Sequence, residues 1–342
     1  MRFRAQRSTA SAPLPEDVDP APRRMRAVVV DGPGPAGSLR TADVAVPVPV
    51  MDEVLVRVVA AGVNPVDAQT RDGEGVSAQI GSYPSPLGVD FSGVVVSAPY
   101  EAHPTPPGTP VFGMTAFPRV GGSYADYVVA SSHAIAVKPP RLSHVEAAAV
   151  PLAALTAWQL VVDTARTHAG QRILIHAGAG GVGHFAVQLA AHFGAHVTTT
   201  CSTRNLSWMR ELGADVVIDH TTTPFEEVVQ PVDVVVDLVG NAHDRTGSRS
   251  LAVLRPGGLL VTVPTGGWTR YSEEAAEAGV SATSFRATPD GVTLATIARL
   301  LESGELAVYV DRVFPLDNAA AAHGALEEHH ARGKLVLQVS DG

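Results

Sequence analysis

The chain has 342 residues, 45% of them apolar, and a formal net charge of −9. That length suffices for two domains, and the negative charge argues against a nucleic-acid partner, whose phosphates call for a basic surface. No apolar run reaches the roughly 18–20 residues of a membrane-spanning helix, and the one cysteine, Cys201, excludes an internal disulfide and a four-cysteine zinc site; a reducing cytoplasm is the simplest compartment.

Residues 1–24 are rich in Pro, Arg and Ser, show no apolar period and carry Glu16, Asp17 and Asp19. They read as a disordered tail, or as an over-called start ahead of Met25, and not as a secretory signal. From Met25 the pattern is strand-like. "MRAVVVDGPG", "DEVLVRVVAAGV", "FSGVVVSAP", "TPVFGM" and "SYADYVVASSHAIAVKP" are apolar or alternating runs split by Gly and Pro. Near Ser143 the pattern changes. "LSHVEAAAVPLAALTAWQLVVDTA" predicts one helix, with Ser143 and Glu146 spaced as a capping box. Strands and helices then alternate: "RILIHAG", "GVGHFAVQLAAHFG", "HVTTTCS", "NLSWMRELG", "DVVIDH", "VDVVVDLVG", a connecting helix "DRTGSRSLAVLRPG", and "GGLLVTVP". Apolar strands alternating with helices predict a parallel sheet covered on both faces. "ATSFRA" reads as a further strand, "GVTLATIARLLESGEL" as a helix, "VYVDRVFPL" as β, "NAAAAHGALEEHHARG" as a helix and "KLVLQV" as a last strand. "EGVSAQIGSYPSP" and "TGGWTRYSEEA" read as loops.

The stretch "HAGAGGVGHF" places Gly178, Gly180 and Gly183 in the spacing GxGxxG, directly after a strand and opening a helix. That order suits a dinucleotide. Gly178 allows the tight turn, Gly180 lets the backbone approach a pyrophosphate, and Gly183 lets the helix pack close to the strand. Gly181 and Val182 complete the loop, and the helix start offers free N–H groups to phosphate. An NAD site carries an acid ~20 residues on, at the end of the second strand. Here no acid occurs between Gly183 and Glu211, and Ser202, Thr203 and Arg204 stand there instead. A hydroxyl and a guanidinium suit a 2′-phosphate, so the expected cofactor is NADPH. The plainer reading of Arg204 is a solvated charge near a helix start.

With these segments the sequence resembles the medium-chain dehydrogenase/reductases, in the zinc-independent quinone oxidoreductase (zeta-crystallin-like) branch. The resemblance is carried by "AAGVNPVDAQTRDG", "PLGVDFSGVV", "GGSYADYVV", "EAAAVPLAALTAWQLV", "HAGAGGVGHFAVQLA", "LGADVVIDH", "VLRPGG" and "ARGKLVLQV". It implies an α/β fold: a GroES-like β-domain over 25–148 and 289–342, interrupted over 149–288 by a Rossmann doubly wound parallel-sheet domain. The cofactor would lie in the cleft between them. Relatives that bind zinc have Cys at the position of Asn64 and His at that of Val89, and Pro65 does not ligate either. Catalytic zinc needs three protein ligands, so none is expected. His329 and His330 read as solvated neighbours on a polar helix, His144 lies near a helix start, and His220 ends a strand facing the adenosine end of the cofactor.

Without a metal, hydride delivery to a quinone or an α,β-unsaturated carbonyl is the simplest chemistry. Asn64 and Thr156 are the candidate catalytic residues. The alternatives are a turn-forming Asn and an ordinary buried Thr, and Asp67 reads as a turn or cap. Val239, Val263, Pro264 and Thr265 follow sheet strands at the crevice. Lys334, in "RGKL", resembles a family Gly-Lys pair near the cofactor; a surface lysine is the alternative. An enoyl-thioester reductase of the family would carry a Tyr soon after "NPVD", where Asp72, Gly73, Glu74 and Gly75 stand; Tyr83 lies further on. A tailoring enoyl or ketone reductase and a non-catalytic NADPH-binding protein stay open. A homodimer paired through "ATSFRA" would hide an exposed sheet edge.

Overall fold

The computed structural model describes residues 21–116, 121–242, 244–263, 268–328 and 330–341. Most of the expected tail (1–20), Pro264, Thr265 and His329 lie outside the described residues.

Apolar alternation and Gly/Pro turns build the first half. β1 (Arg24–Val30) pairs antiparallel with β2 (Arg40–Ala45). β3 (Glu53–Val63) runs into α1 (Pro65–Arg71). Then come β4 (Ser85–Pro86), β5 (Asp90–Ser97), β6 (Pro110–Met114), β7 (Tyr127–Ser131) and β8 (Ile135–Val137).

The single helix expected from Ser143 is in pieces. Its capping box forms: Ser143 Oγ accepts the Glu146 N–H at 3.2 Å, and Glu146 accepts the Ser143 N–H at 2.8 Å. α2 (His144–Ala148) ends ahead of Pro151, which has no N–H to continue the ladder. α3 (Pro151–Trp158) restarts there and passes into a π-helical turn over Gln159–Thr164.

The middle is α/β, with β9 (Arg172–Ile175), α4 (Gly183–His192), β10 (His196–Cys201), α5 (Leu206–Glu211), β11 (Val216–Asp219), β12 (Val232–Asp237), α6 (Thr246–Ser250), β13 (Leu254–Thr262), α7 (Tyr271–Glu277) and β14 (Ser281–Ser284). All pairs are parallel, in the order β11-β10-β9-β12-β13-β14. This is the doubly wound order of dinucleotide-binding sheets, with its switch point between β9 and β12. Two details differ from expectation. "LRPGG" is already strand, so the connecting helix is only α6 with a 3-10 turn. The end of "TGGWTRYSEEA", read as loop, opens α7, because its acidic first turn (Glu273, Glu274) suits a helix N-terminus.

The chain then returns. α8 (Gly291–Ser303) packs on β8, and β15 (Val310–Pro315), α9 (Ala319–Glu327) and β16 (Lys334–Gln338) complete the first half. The seven-stranded sheet runs β15-β16-β3-β5-β6-β8, with β7 also on β3. α9 ends at Glu327, so His330 lies beyond the helix rather than on it. One apolar core joins the two sheets: α3, α4 and α8 pack with Ile173, Ile175 and Val236, and with Val89, Phe112 and Met114.

Candidate active site

The carboxyl ends of β9 and β12 flank the point where the strand order reverses, where sheets of this kind form their ligand crevice. The loop after β9 turns at Ala177, with φ +53°, rather than at a glycine. Gly178 is required for a different reason: a Cβ there would stand 2.0 Å from Thr199 Oγ1, which is held by the Ile175 carbonyl at 2.7 Å. On Gly183 a Cβ would meet the Ala177 carbonyl oxygen at 2.2 Å, so helix and strand pack too closely for any side chain. On Gly180 a Cβ would approach only that oxygen, at 3.3 Å. The space before Gly180 is therefore left open by the protein. The N–H groups of Gly181, Val182 and Gly183 find no acceptor among the described residues. Three unpaired donors at the N-terminus of α4 fit a pyrophosphate. His184 braces the loop: its Nδ1 donates to the Gly180 carbonyl at 3.0 Å while Nε2 accepts the Tyr309 N–H at 3.4 Å.

Beyond the end of β10, Arg204 is exposed and donates to the His330 carbonyl. Ser202 Oγ accepts from Asn205 Nδ2 at 3.1 Å. The strand β10 carries no acid, as the sequence indicated, but Asp219 at the end of β11 accepts from the Thr203 hydroxyl. A carboxylate thus stands beside this segment, and hydrogen bonds from Thr203 and Thr221 hold its pKa down. His220 is exposed and its N–H bonds the Cys201 carbonyl at 3.1 Å. Val239 and Gly240 cap the buried Asp237 through their N–H groups, at 2.9 and 2.8 Å. The Val263 N–H bonds the Asp237 carbonyl at 3.0 Å.

Across the crevice, Asn64 caps α1, with Asp67 accepting its N–H at 2.9 Å. Both ends of the Asn64 amide are engaged. Nδ2 donates to Asp90 at 3.0 Å, and Oδ1 accepts from the Lys334 ammonium. An ammonium only donates and a carboxylate accepts, so the amide has one permitted orientation and keeps one N–H to offer. Lys334 is no surface residue. It is 3% exposed, donates also to the Val63 carbonyl at 3.0 Å, and lies 3.9 Å from the fully buried Asp90. Its stem touches the glycine loop: a Cβ on Gly181 would stand 3.1 Å from Lys334 Cδ. Asp90 in turn accepts the Leu152 N–H at 2.9 Å, capping α3 after the Pro151 break. Thr156 is buried, and its hydroxyl donates to the Leu152 carbonyl at 2.6 Å, so it can offer only lone pairs.

Behind Asn64 runs a second buried chain that sequence reading missed. Arg71 donates to His323 Nδ1 at 3.3 Å, so Nε2 carries the hydrogen and faces Tyr124 at 3.2 Å; the Tyr124 hydroxyl donates to Asp67 at 3.0 Å. Burial raises Asp67 to about 7 and Asp90 to about 6, and pushes His323 down to about 4. Burial also lowers His176 to about 3 and His184 to about 4.

These shifts have opposite signs in stability. An unfolded histidine titrates near ~6.5, so as pH falls from there toward 4 the unfolded chain gains protons that the buried rings refuse, and stability is lost. Asp67 holds its proton to about 7 when folded but not when unfolded, so its contribution is lost as pH rises from 3.8 toward 7. Denaturant titrations between pH 4.5 and 6.5 are expected to show a shallower rise of stability with pH in His176→Gln, and a steeper one in Asp67→Asn. Parallel profiles would refute the assignment.

Known proteins bear on this geometry. A family model described as "Alcohol dehydrogenase GroES-like domain" matches residues 51–140, and one described as "Zinc-binding dehydrogenase" matches 212–337. The chain is 33% identical to the NADPH-dependent alkenal/one oxidoreductase, chloroplastic, of Arabidopsis thaliana, over 98% of this chain and 86% of that one. It is 36% identical to the 2-methylene-furan-3-one reductase of Solanum lycopersicum, over 86% and 74%. Among solved structures, the quinone oxidoreductase of Coxiella burnetii superposes with a TM-score of 0.87 at 37% identity, covering 92% of this chain and 99% of that one. Among the described residues no three His, Cys, Asp or Glu side chains converge to hold a metal. Asn64 is bound to Lys334 and Asp90, and Val89 is core.

Proposed function

The chain belongs to the medium-chain dehydrogenase/reductase superfamily, in its quinone oxidoreductase-like branch, and from this premise we propose that it is an NADPH-dependent reductase of a quinone or an α,β-unsaturated carbonyl that works without a metal. The observation that carries the reading is Lys334. Its stem lies on the phosphate loop and its ammonium orients Asn64, so one side chain couples the cofactor cradle to the polar group across the crevice.

NADPH, when bound, supplies the hydride. The amides of Gly181, Val182 and Gly183 would hold the pyrophosphate, and Ser202 and Arg204 the 2′-phosphate. Asp219, near Thr203, opposes that phosphate, so the NADPH preference rests on the arginine outweighing it. The remaining amide N–H of Asn64 would be the donor offered to an acceptor's oxygen, where negative charge would develop. Fixing that donor beforehand avoids reorganisation during the reaction. A proton taken up from solvent would complete the reduction, since Thr156 already gives its hydroxyl hydrogen to the Leu152 carbonyl. An enoyl reductase role in secondary metabolism uses the same site and differs only in acceptor.

Among the described residues no strand pairs with the outer edge of β14 at Ser281–Ser284, which supports pairing into a homodimer. No helix among the described residues is long and apolar enough to cross a membrane, and the free, buried Cys201 suits a reducing compartment such as the cytoplasm. The test is NADPH oxidation at 340 nm against a panel of quinones and enones, with NADH in parallel. We expect turnover on at least one acceptor class and a preference for NADPH. Tight NADPH binding with no turnover on any acceptor would leave a binding protein, and equal use of NADH would remove the 2′-phosphate assignment.

A further inference from the structure

Arg332 has no role in the account so far, and its surroundings are unusual for a structural arginine. Its guanidinium lies over two aromatic rings, 4.1 Å from the Trp208 centroid and 4.8 Å from that of Tyr309. Its Nε is buried with no hydrogen-bond partner. No carboxylate lies within ion-pair distance of it among the described residues. The fully buried Arg71 and the partly enclosed Arg249 are each flanked by two carboxylates. A buried guanidinium nitrogen without a partner is costly, and aromatic faces offset only part of that.

Position says which anion is missing. Gly333, the next residue, donates its N–H to the Ala179 carbonyl in the phosphate loop at 2.9 Å. Two residues earlier, the His330 carbonyl accepts from Arg204. Trp208 stands in α5, which follows Ser202–Asn205 directly. The 330–333 segment therefore lies over the adenosine half of the cradle and presents Arg332 against the helix that begins there. We propose that Arg332 is a second specificity-determining cation for the 2′-phosphate of NADPH, held ready by its stack on Trp208 and Tyr309 and offsetting Asp219. This rests on the NADPH reading above. The rings hold the planar guanidinium in place and leave its edge donors for a phosphate, which a lysine ammonium in the same place would not reproduce.

The test uses the full chain and two probes, 2′-AMP and 5′-AMP, with binding read by calorimetry and by tryptophan fluorescence. Arg332→Gln removes the charge. Arg332→Met keeps an unbranched stem on the rings and guards against a folding artefact. Both are expected to weaken 2′-AMP by about tenfold or more, in line with loss of a charge-assisted hydrogen bond, while 5′-AMP shifts less than about twofold. Arg332→Lys is expected to recover only part. If the unaltered protein discriminates 2′-AMP from 5′-AMP and both neutral variants match it, the Arg332 assignment falls and the NADPH reading stands. If the unaltered protein does not discriminate, both fall. Equal weakening of the two probes in both variants would make Arg332 a structural stack and overturn the proposal.

Discussion

Lys334→Met is expected to destabilise the protein by about 3–5 kcal/mol, because it leaves Asp90 buried without its cation. Asp90 is fully enclosed, and its remaining partners are the Asn64 amide and the Leu152 N–H. The same substitution takes the donor from Asn64 Oδ1 and frees the amide to turn. We expect kcat to fall by about a hundredfold, the scale seen when one preorganised donor is lost from an anion-stabilising site. Stability and orientation can be separated. Asp90→Asn combined with Lys334→Met leaves no unpaired charge and is expected to recover most of the stability, since replacing both members of a buried pair is nearly neutral. It still cannot dictate which end of Asn64 faces the crevice, so kcat is expected to stay low. Denaturant unfolding and steady-state kinetics on the two variants decide this. Recovery of kcat along with stability would reduce Lys334 to a structural counter-ion.

Gly183→Ala is expected to abolish dinucleotide binding and to lower the melting temperature. The added Cβ would lie 2.2 Å from the Ala177 carbonyl oxygen and 2.7 Å from Gly178 Cα, both backbone atoms that cannot rotate away. Helix α4 and strand β9 would have to separate, and core overpacking of this kind destabilises by about 1–3 kcal/mol or more. Gly180→Ala provides the contrast. Its Cβ meets only one oxygen, at 3.3 Å, so the variant is expected to melt close to the unaltered protein and yet bind NADPH poorly, because the methyl occupies the space left for phosphate. Calorimetric melting with and without NADPH tests the pair. A Gly180→Ala protein with full affinity would show that the pyrophosphate lies elsewhere.

The scaffold was legible in the sequence because apolar period and Gly/Pro punctuation are local signals. The strand–glycine–helix order of 172–192 and the Ser143 capping box both depend on neighbours within a few positions. What escaped was long-range or mixed in sign. Lys334 was expected near the cofactor, but its pairing with Asp90 was not: each stands in an apolar strand, in "PLGVDFSGVV" and "KLVLQV", and no local pattern links them. Only the sheet brings them to Asn64, 26 and 270 positions away in sequence. An acid and a base each embedded in apolar strands is itself a usable signal for a buried pair. Asp219 escaped for a related reason: reading along β10 finds no acid, while the next parallel strand delivers one onto Thr203. The helix from Ser143 was read as continuous because its composition is helical throughout, and Pro151 outweighs that average.

The place of β16 between β15 and β3 also bears on how the molecule is made. β3 leaves the ribosome with its Val63 edge unpaired, and the bond from Lys334 to Val63 waits for a strand synthesised 271 positions later. Through that interval an apolar edge of the first sheet stands open and can pair wrongly. The parallel sheet in the middle of the chain has its own strands complete much earlier. A nascent chain can thus complete that parallel sheet while its glycine loop still waits for Tyr309 and Gly333 and the first sheet is unclosed, so both halves are finished only when β16 docks.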